Sequence, residues 1–565
     1  MTRLSAMLRR RIEIPILAVL ATLLVVIASD VPSVWYDESA TIASAIRTWP
    51  QLWAMLGTVD AVHGLFYAGM HLWFDLVGYS PFTLRFPSAI FSGATVALTM
   101  LLASRFGSRG FSVLAGVILI TIPRFTWAGM EGRSYALTAT LAVALTLLLV
   151  RALDATGRAG DAGRTSGEAD PRAGAASGTP QGLRRSRWRA ALPWIAYGAV
   201  GLFAVVIFVY LALVIVAHAV SVLLLTRWGS LTRRQLIAFG ATVVPLGIVS
   251  IPFVLAVSRQ SGQVGWLDPI SEGTIPGILV TQFAPSNSPY AVFIWLVVLL
   301  GLATLVTTLV RARRASAVRA AVTGDARASI IRTTSLAAWI LPWLIVPTVL
   351  LVAVSVLVTP LYSPRYLTFL VPALAIAVAA GLVGIGRVAT HLAGRAARRP
   401  SLRAAPLTLI VCIAGVLVLV LLSVPSYVSQ RQPEAKQSSS WSQVAARVAT
   451  ITSSLPAEPD GSAPAVVFGS VAYHPTATAR VVQYSYPWAF TGLDDVALVK
   501  PLGTTNRLWE TAQPVTSELL SGHDSVILVS SGRDRESNQQ AIEAAGFHLV
   551  DDWHYTRMWV RLFER

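Results

Sequence analysis

The chain has 565 residues, 54% of them hydrophobic and only 13% charged, with a mean hydropathy of +0.62. A typical soluble domain is about 25% charged, so this composition excludes a soluble globular enzyme and a disordered chain. The formal charge of +17 comes from 45 Lys plus Arg against 28 Asp plus Glu. In so apolar a chain it points to positive-inside membrane loops. Nucleic-acid binding would need a basic face interleaved with aromatics on a soluble domain. One cysteine, Cys412, excludes an internal disulfide and a Cys-based metal site.

A bilayer crossing needs about 20 mostly apolar residues. Eleven stretches qualify: 13–31, 82–104, 111–128, 134–151, 191–208, 210–226, 236–257, 290–310, 336–358, 366–386 and 405–424. The run 191–226 is too long for one helix and is divided near Tyr210. Ala28-Ser29-Asp30 is a poor cleavage site, so the first span reads as a retained helix. With the N-terminus inside, 28 basic residues fall in cytoplasmic segments. Only six lie in the opposite loops before residue 425: Arg47, Arg85, Arg124, Arg133, Arg259 and Arg365. That asymmetry predicts a multi-pass protein of the cytoplasmic membrane with its C-terminal segment outside. The Arg-, Gly- and Ala-rich stretch 151–190 reads as a disordered linker.

The chain divides into a membrane domain, 1–424, and an extracytoplasmic domain, 425–565. The second shows short buried-strand patterns at Ala465–Phe468 and Val526–Val529, a helical segment at Gln539–Ala545, and further strand patterns at Phe547–Val550 and Met558–Phe563. It reads as a small α/β domain without a GxGxxG or P-loop pattern.

Chemistry concentrates in the outer loops. They hold eight acids before residue 425: Asp30, Asp37, Glu38, Asp60, Asp75, Glu131, Asp268 and Glu272. Ionisable groups beside the bilayer are costly and default to functional hypotheses. The first loop opens Trp35-Tyr36-Asp37-Glu38. Ile42, Ile46, Trp49, Trp53 and Leu56 then follow at spacings that make one stripe of an amphipathic helix, kinked or restarted at Pro50. Such a helix suits the membrane interface, with Asp37 and Glu38 at its positive end. Next come Asp60-Ala61-Val62-His63-Gly64-Leu65-Phe66-Tyr67 and a run ending Thr83-Leu84-Arg85-Phe86-Pro87. The loop after the third span reads Glu131-Gly132-Arg133-Ser134-Tyr135, and Ser363-Pro364-Arg365-Tyr366 precedes the tenth. Acids and arginines on one membrane face suit a lipid-phosphate sugar attacked by a hydroxyl. A carboxylate accepts the hydroxyl proton, and arginines or a divalent ion offset charge on the departing phosphate.

These motifs, in this order and on one side, resemble the GT-C glycosyltransferases of glycosyltransferase family 39, the protein-mannosyltransferase and aminoarabinose-transferase type. The outer domain is similar to those of actinobacterial mannosyltransferases. The resemblance covers about residues 30–150 plus Ser363–Tyr366. It implies a polytopic GT-C fold and inverting transfer from a polyprenyl-phosphate sugar to a glycan, lipoglycan or secreted-protein acceptor, with no nucleic-acid partner. Asp37 maps onto the general base and Glu38 onto acceptor or metal contacts. Arg85, Arg133 and Arg365 are implied donor-phosphate contacts. Asp60, His63, Glu131, Tyr135 and Tyr366 are candidate substrate or metal contacts, a divalent cation being the candidate cofactor. The family's His-Pro-Pro-Leu-Tyr stands here as His63-Gly64-Leu65-Phe66-Tyr67, without either proline. Mannose is the leading sugar. Arabinofuranose, a lipid flippase and a non-catalytic scaffold are the competing readings.

Overall fold

The computed structural model describes residues 11–165, 180–318, 324–396, 404–455, 463–472, 474–531 and 535–565. Among these, nine helices are long and apolar enough to cross a membrane, or ten if Arg109–Thr121 and Pro123–Gly129 form one broken span. These two meet at a 69° bend. Ile122 there has φ −70 and ψ 120, the extended geometry that a following proline imposes. Each of the eleven expected stretches is helical, but Glu13–Val26 has only 14 residues and falls below spanning length. The division near Tyr210 is real. Phe208 is extended, and a 3-10 turn over Val209–Leu211 separates helix Pro180–Ile207 from helix Ala212–Arg227. The expected linker 151–190 is corrected in part. Helix Tyr135–Thr165 continues past the apolar run, and helix Pro180–Ile207 begins before the next one. Alanine and arginine are good helix formers and prolong helices beyond the hydrocarbon. Residues 166–179 lie outside the described residues.

The chain forms two compact units that are not contiguous in sequence. One comprises Met1–Val25, Ser88–Gly129 and Ser134–Tyr427; the other comprises Val26–Pro87, Met130–Arg133 and Val428–Arg565. The first outer loop thus belongs to the same unit as the C-terminal segment, across the expected division at residue 424.

The first unit is the helical membrane body. Tyr135–Thr165 packs on Pro180–Ile207, Ala212–Arg227 on Gly324–Leu357, and Ser288–Val318 on Val371–Ala396. The last pair touches through glycine: a Cβ on Gly301 would lie 2.6 Å from the Gly381 Cα. With lipid as apolar as the side chains, such close backbone approach is a main source of helix affinity. Outward faces keep exposed aliphatics such as Ile248, Val249 and Leu421, a surface suited to lipid.

In the second unit, helices Tyr36–Ala45, Trp49–Leu56 and Gly64–Val77 share a hydrophobic core with the α/β segment, through Ile42, Leu52, Phe66, Val444, Phe468 and Val560. The strands are β1 Ala465–Phe468, β2 Ser470–Val471, β3 His474–Thr478, β4 Asp494–Asp495, β5 Leu498–Lys500, β6 Thr511–Ala512, β7 Ser525–Ser530, β8 His548–Tyr555 and β9 Met558–Glu564. The main sheet has the order β4-β1-β7-β9-β8. β1 runs parallel to β4 and β7, and β9 runs antiparallel to β7 and β8. Helix Arg535–Ala544 connects β7 to β8. All six residues of β7 are buried, as its continuous apolar run predicts for a central strand.

The restart expected at Pro50 is present, while the single stripe expected across Ile42–Leu56 is corrected. The helix stops at Ala45 and restarts at Trp49 with a Thr48–Gln51 capping box, which turns the two segments apart. Ile42 and Leu56 are buried, while Ile46, Trp49 and Trp53 are exposed.

A valine at Gly381 would set its Cβ 2.5 Å from the Val297 carbonyl oxygen, whereas a Cβ at Gly240 meets nothing within 4 Å. Gly381→Val is therefore expected to cost at least about 1–3 kcal/mol, seen as a lower melting temperature in detergent. Gly240→Ala is expected to leave it unchanged or raised.

Candidate functional site

The second unit builds its polar centre on the helix Tyr36–Ala45, whose first turn carries Asp37 and Glu38. Negative charge is favoured there by the helix dipole, yet Glu38 does more than cap. Its side chain and that of Arg85 are both fully excluded from solvent. Arg85 donates from Nε to Oε1 at 2.8 Å and from Nη2 to Oε2 at 2.5 Å. Its other N–H groups go to the carbonyls of Ser29, Pro32 and Ser33. All five guanidinium donors are thereby used. The expectation that Arg85 contacts a donor phosphate is corrected: it has no N–H left to offer. Glu38 is equally committed, since its Oε1 also accepts from the Gly132 amide at 2.8 Å. Its expected acceptor or metal contact gives way to holding the loop Met130–Arg133 against the helix.

Glu131, in that loop, is the second buried acid. Its Oε1 accepts from the Trp35 indole, and Lys436 donates to its Oε2. The Lys436 and Glu131 side chains are 2% and 0% exposed. The four charged groups alternate in sign and influence one another. Burial works to raise the Glu38 pKa, but Arg85, Lys436 and the Gly132 amide overcome it, so Glu38 stays below the usual carboxylate range. Burial and the neighbouring Glu38 charge push Glu131 up against the pull of Lys436, and burial draws Lys436 down. Glu131 is thus occupied within the fold, not open to substrate or metal as expected.

The more accessible side of the same helix carries a second polar arrangement. Asp37 and Asp60 are half-buried. Asp60 adopts a left-handed backbone, φ 58, that turns the chain into the 3-10 turn Ala61–His63. Its Oδ2 accepts from the Tyr67 hydroxyl at 2.8 Å, and that hydroxyl accepts from Arg133 Nη1 at 2.8 Å. Arg133 Nη1 also reaches Thr41 Oγ1 at 3.3 Å. Burial raises the Asp60 pKa and the Asp37 charge raises it further, against Arg133 and Tyr67. Asp60 is thereby driven toward its neutral form. The His63 ring lies 5.8 Å from that of Tyr67. Tyr36 stacks on His474 of β3 with centroids 3.5 Å apart, and its hydroxyl accepts from the Trp509 indole at 2.9 Å.

The first unit holds the remaining expected residues. Tyr135 is buried between Trp127 and Phe208. Tyr366 stacks on Tyr210 at 5.4 Å, and the Arg365 guanidinium sits over Trp266 at 5.1 Å. Among the described residues, no three His, Cys, Asp or Glu side chains are placed to hold a metal ion.

Lys436, Tyr67, Trp35 and Thr41 belong to the site without having been singled out as candidates. A signal for Lys436 was present: the chain uses 43 arginines but only two lysines, Lys436 and Lys500. A buried slot that takes a compact ammonium rather than a planar guanidinium is one reason for such an exception.

No protein-family profile matches the sequence, and none of the curated proteins does. Among solved structures, ArnT from Cupriavidus metallidurans in the apo state superposes with a TM-score of 0.52 at 12% identity, covering 97% of both chains. The chain has the GT-C fold. The same ArnT bound to undecaprenyl phosphate gives 0.47 at 12% identity over 97% of both chains. The Archaeoglobus fulgidus oligosaccharyltransferase tethered to an acceptor peptide gives 0.48 at 10% identity, covering 96% of this chain and 73% of that one.

Breaking one buried pair leaves a charge uncompensated, so Lys436→Met is expected to destabilise by about 3–5 kcal/mol. Adding Glu131→Gln should return most of that loss. Thermal unfolding in detergent, followed by tryptophan fluorescence, reads both. Equal melting of the single variant and the parent would show the pair to be inert.

Proposed function

We propose that this GT-C protein is an inverting, polyprenyl-phosphate-dependent glycosyltransferase that works on the outer face of the membrane. The observation that carries the reading is the hydrogen-bonded chain Asp60–Tyr67–Arg133 together with Asp37, in a helix first turn, whose charge acts on Asp60. Asp37 takes the proton of an acceptor hydroxyl as that oxygen bonds to the anomeric carbon and the C1–O bond to phosphate breaks on the opposite side. The electron pair leaves with the lipid phosphate. Asp60, biased toward its protonated state, keeps the second carboxyl from competing for that proton.

Arg133, anchored through Tyr67 and Thr41, and Arg365, held over Trp266 and Tyr366, are the proposed phosphate contacts. A guanidinium suits a phosphate through paired N–H donors. His63, whose ring lies beside that of Tyr67, is a further proposed substrate contact; Tyr135 and Tyr366, in the first unit, are proposed contacts on their sequence motifs alone. ArnT, which supports the fold, is a protein captured with undecaprenyl phosphate, a lipid of the proposed donor class. Mannose is the proposed sugar, and an envelope glycan, lipoglycan or secreted protein the proposed acceptor.

Purified protein offered radiolabelled polyprenyl-phosphate mannose and polyprenyl-phosphate arabinofuranose with defined acceptors is expected to transfer mannose. Asp37→Asn should lower the rate by about 10²–10⁴-fold, while Asp60→Asn keeps far more activity. Arg133→Gln should cost about a hundredfold in kcat. Full activity of Asp37→Asn would sink the assignment, and selective transfer of arabinofuranose would change the sugar but keep the mechanism.

A further inference from the structure

The helical membrane body contains a cavity of about 1590 Å³ that no part of the proposed reaction uses. Five helices line it: Arg109–Thr121, Ser288–Val318, Gly324–Leu357, Val371–Ala396 and Ala404–Ser429. Each contributes the half nearest one end of its span. The first, third and fifth give early residues such as Phe111, Ala337 and Thr408. The other two give late residues such as Leu305 and Val388. The cavity therefore lies at the depth of a single leaflet, the one bordered by the basic segments of the chain.

Its origin is steric. Val371–Ala396 meets Ser288–Val318 at Gly301 and Gly381, and meets Ala404–Ser429 at Gly386 and Thr408. Backbones pinned this closely at single points leave a wedge where the larger neighbours diverge.

The lining is apolar for most of its length and includes no carboxylate among the described residues. Arg387 and His391, one turn apart and exposed, stand at its basic end with Ser108, which caps helix Arg109–Thr121. Arg387 makes no ion pair among the described residues. The positive end of that helix adds to the cationic character there. The volume exceeds the about 300–1,000 Å³ of pockets that hold small molecules, and an apolar cavity at membrane depth excludes water.

We propose that this cavity is a binding site for an anionic glycerophospholipid, with its acyl chains among the five helices and its phosphate at Arg387 and His391. The site is separate from the proposed transfer chemistry and does not depend on it.

The test is native mass spectrometry of the purified full-length chain after washing with mixed micelles containing equal phosphatidylglycerol and phosphatidylcholine. The parent is expected to retain phosphatidylglycerol about fivefold over phosphatidylcholine, the preference one basic residue supplies near an anionic headgroup. Arg387→Gln should bring that ratio close to one without changing the melting temperature. Ala337→Trp, which fills the cavity, should lower retention of both lipids. Equal retention by the parent, an unchanged ratio in Arg387→Gln, undiminished retention in Ala337→Trp, or retention of a polyprenyl phosphate instead would each overturn the proposal.

Discussion

The candidate site depends on charge compensation out of water. Glu38 and Arg85 form a bidentate pair with no solvent exposure, and Glu131 and Lys436 form a second pair in the same interior. Each ion buried alone would cost several kcal/mol. Together they are tolerable only in one arrangement, because each acid must also find its backbone or indole partner. Gly132 is fixed by Glu38, Trp35 by Glu131, and the chain around Ser29–Ser33 by Arg85. The loop that bears Arg133 and the helix turn that bears Asp37 are thereby held by groups that do no chemistry themselves.

This separates two kinds of polar residue that look alike in sequence. Asp37 and Glu38 are adjacent, yet one is half-buried and the other has both oxygens spent within the fold. Arg85, in helix Pro81–Ala103, and Arg133, in the loop Met130–Arg133, both stand among the few arginines assigned to the side poor in basic residues. Arg85 uses all five donors to bind its own chain, whereas Arg133 reaches a tyrosine hydroxyl that in turn holds Asp60. Successive helix residues point about 100° apart, so a doublet of acids at a helix start presents its two side chains to different surroundings.

The membrane body follows a different logic. Water drives nothing there, so glycine contacts and helix breaks decide the packing. Extended residues at Ile122 and Phe208 end helices that composition alone would have continued. The backbone groups released at such breaks find partners: the carbonyls of Thr281 and Gln282 accept from Arg124, and that of Phe283 accepts from the Arg124 amide. This is the condition under which irregular backbone survives at membrane depth.

Composition and periodicity by themselves determined that the chain is a multi-span helical protein with a small α/β segment. Among the described residues they located the helices of membrane-spanning length and the buried strands β1, β7 and β9. Those properties depend on local hydrophobicity and spacing, which a linear reading preserves. The grouping of Asp37, Asp60 and Arg133 was legible as motifs near the membrane, though not as one arrangement with Tyr67. Only the tertiary structure decided which charges are spent. Lys436 lies 305 residues from Glu131 in the chain, and no local pattern reports a partner at that distance. Whether an arginine is free to meet a phosphate depends on how many of its donors the fold has already used, and that count exists only once the chain has closed around it.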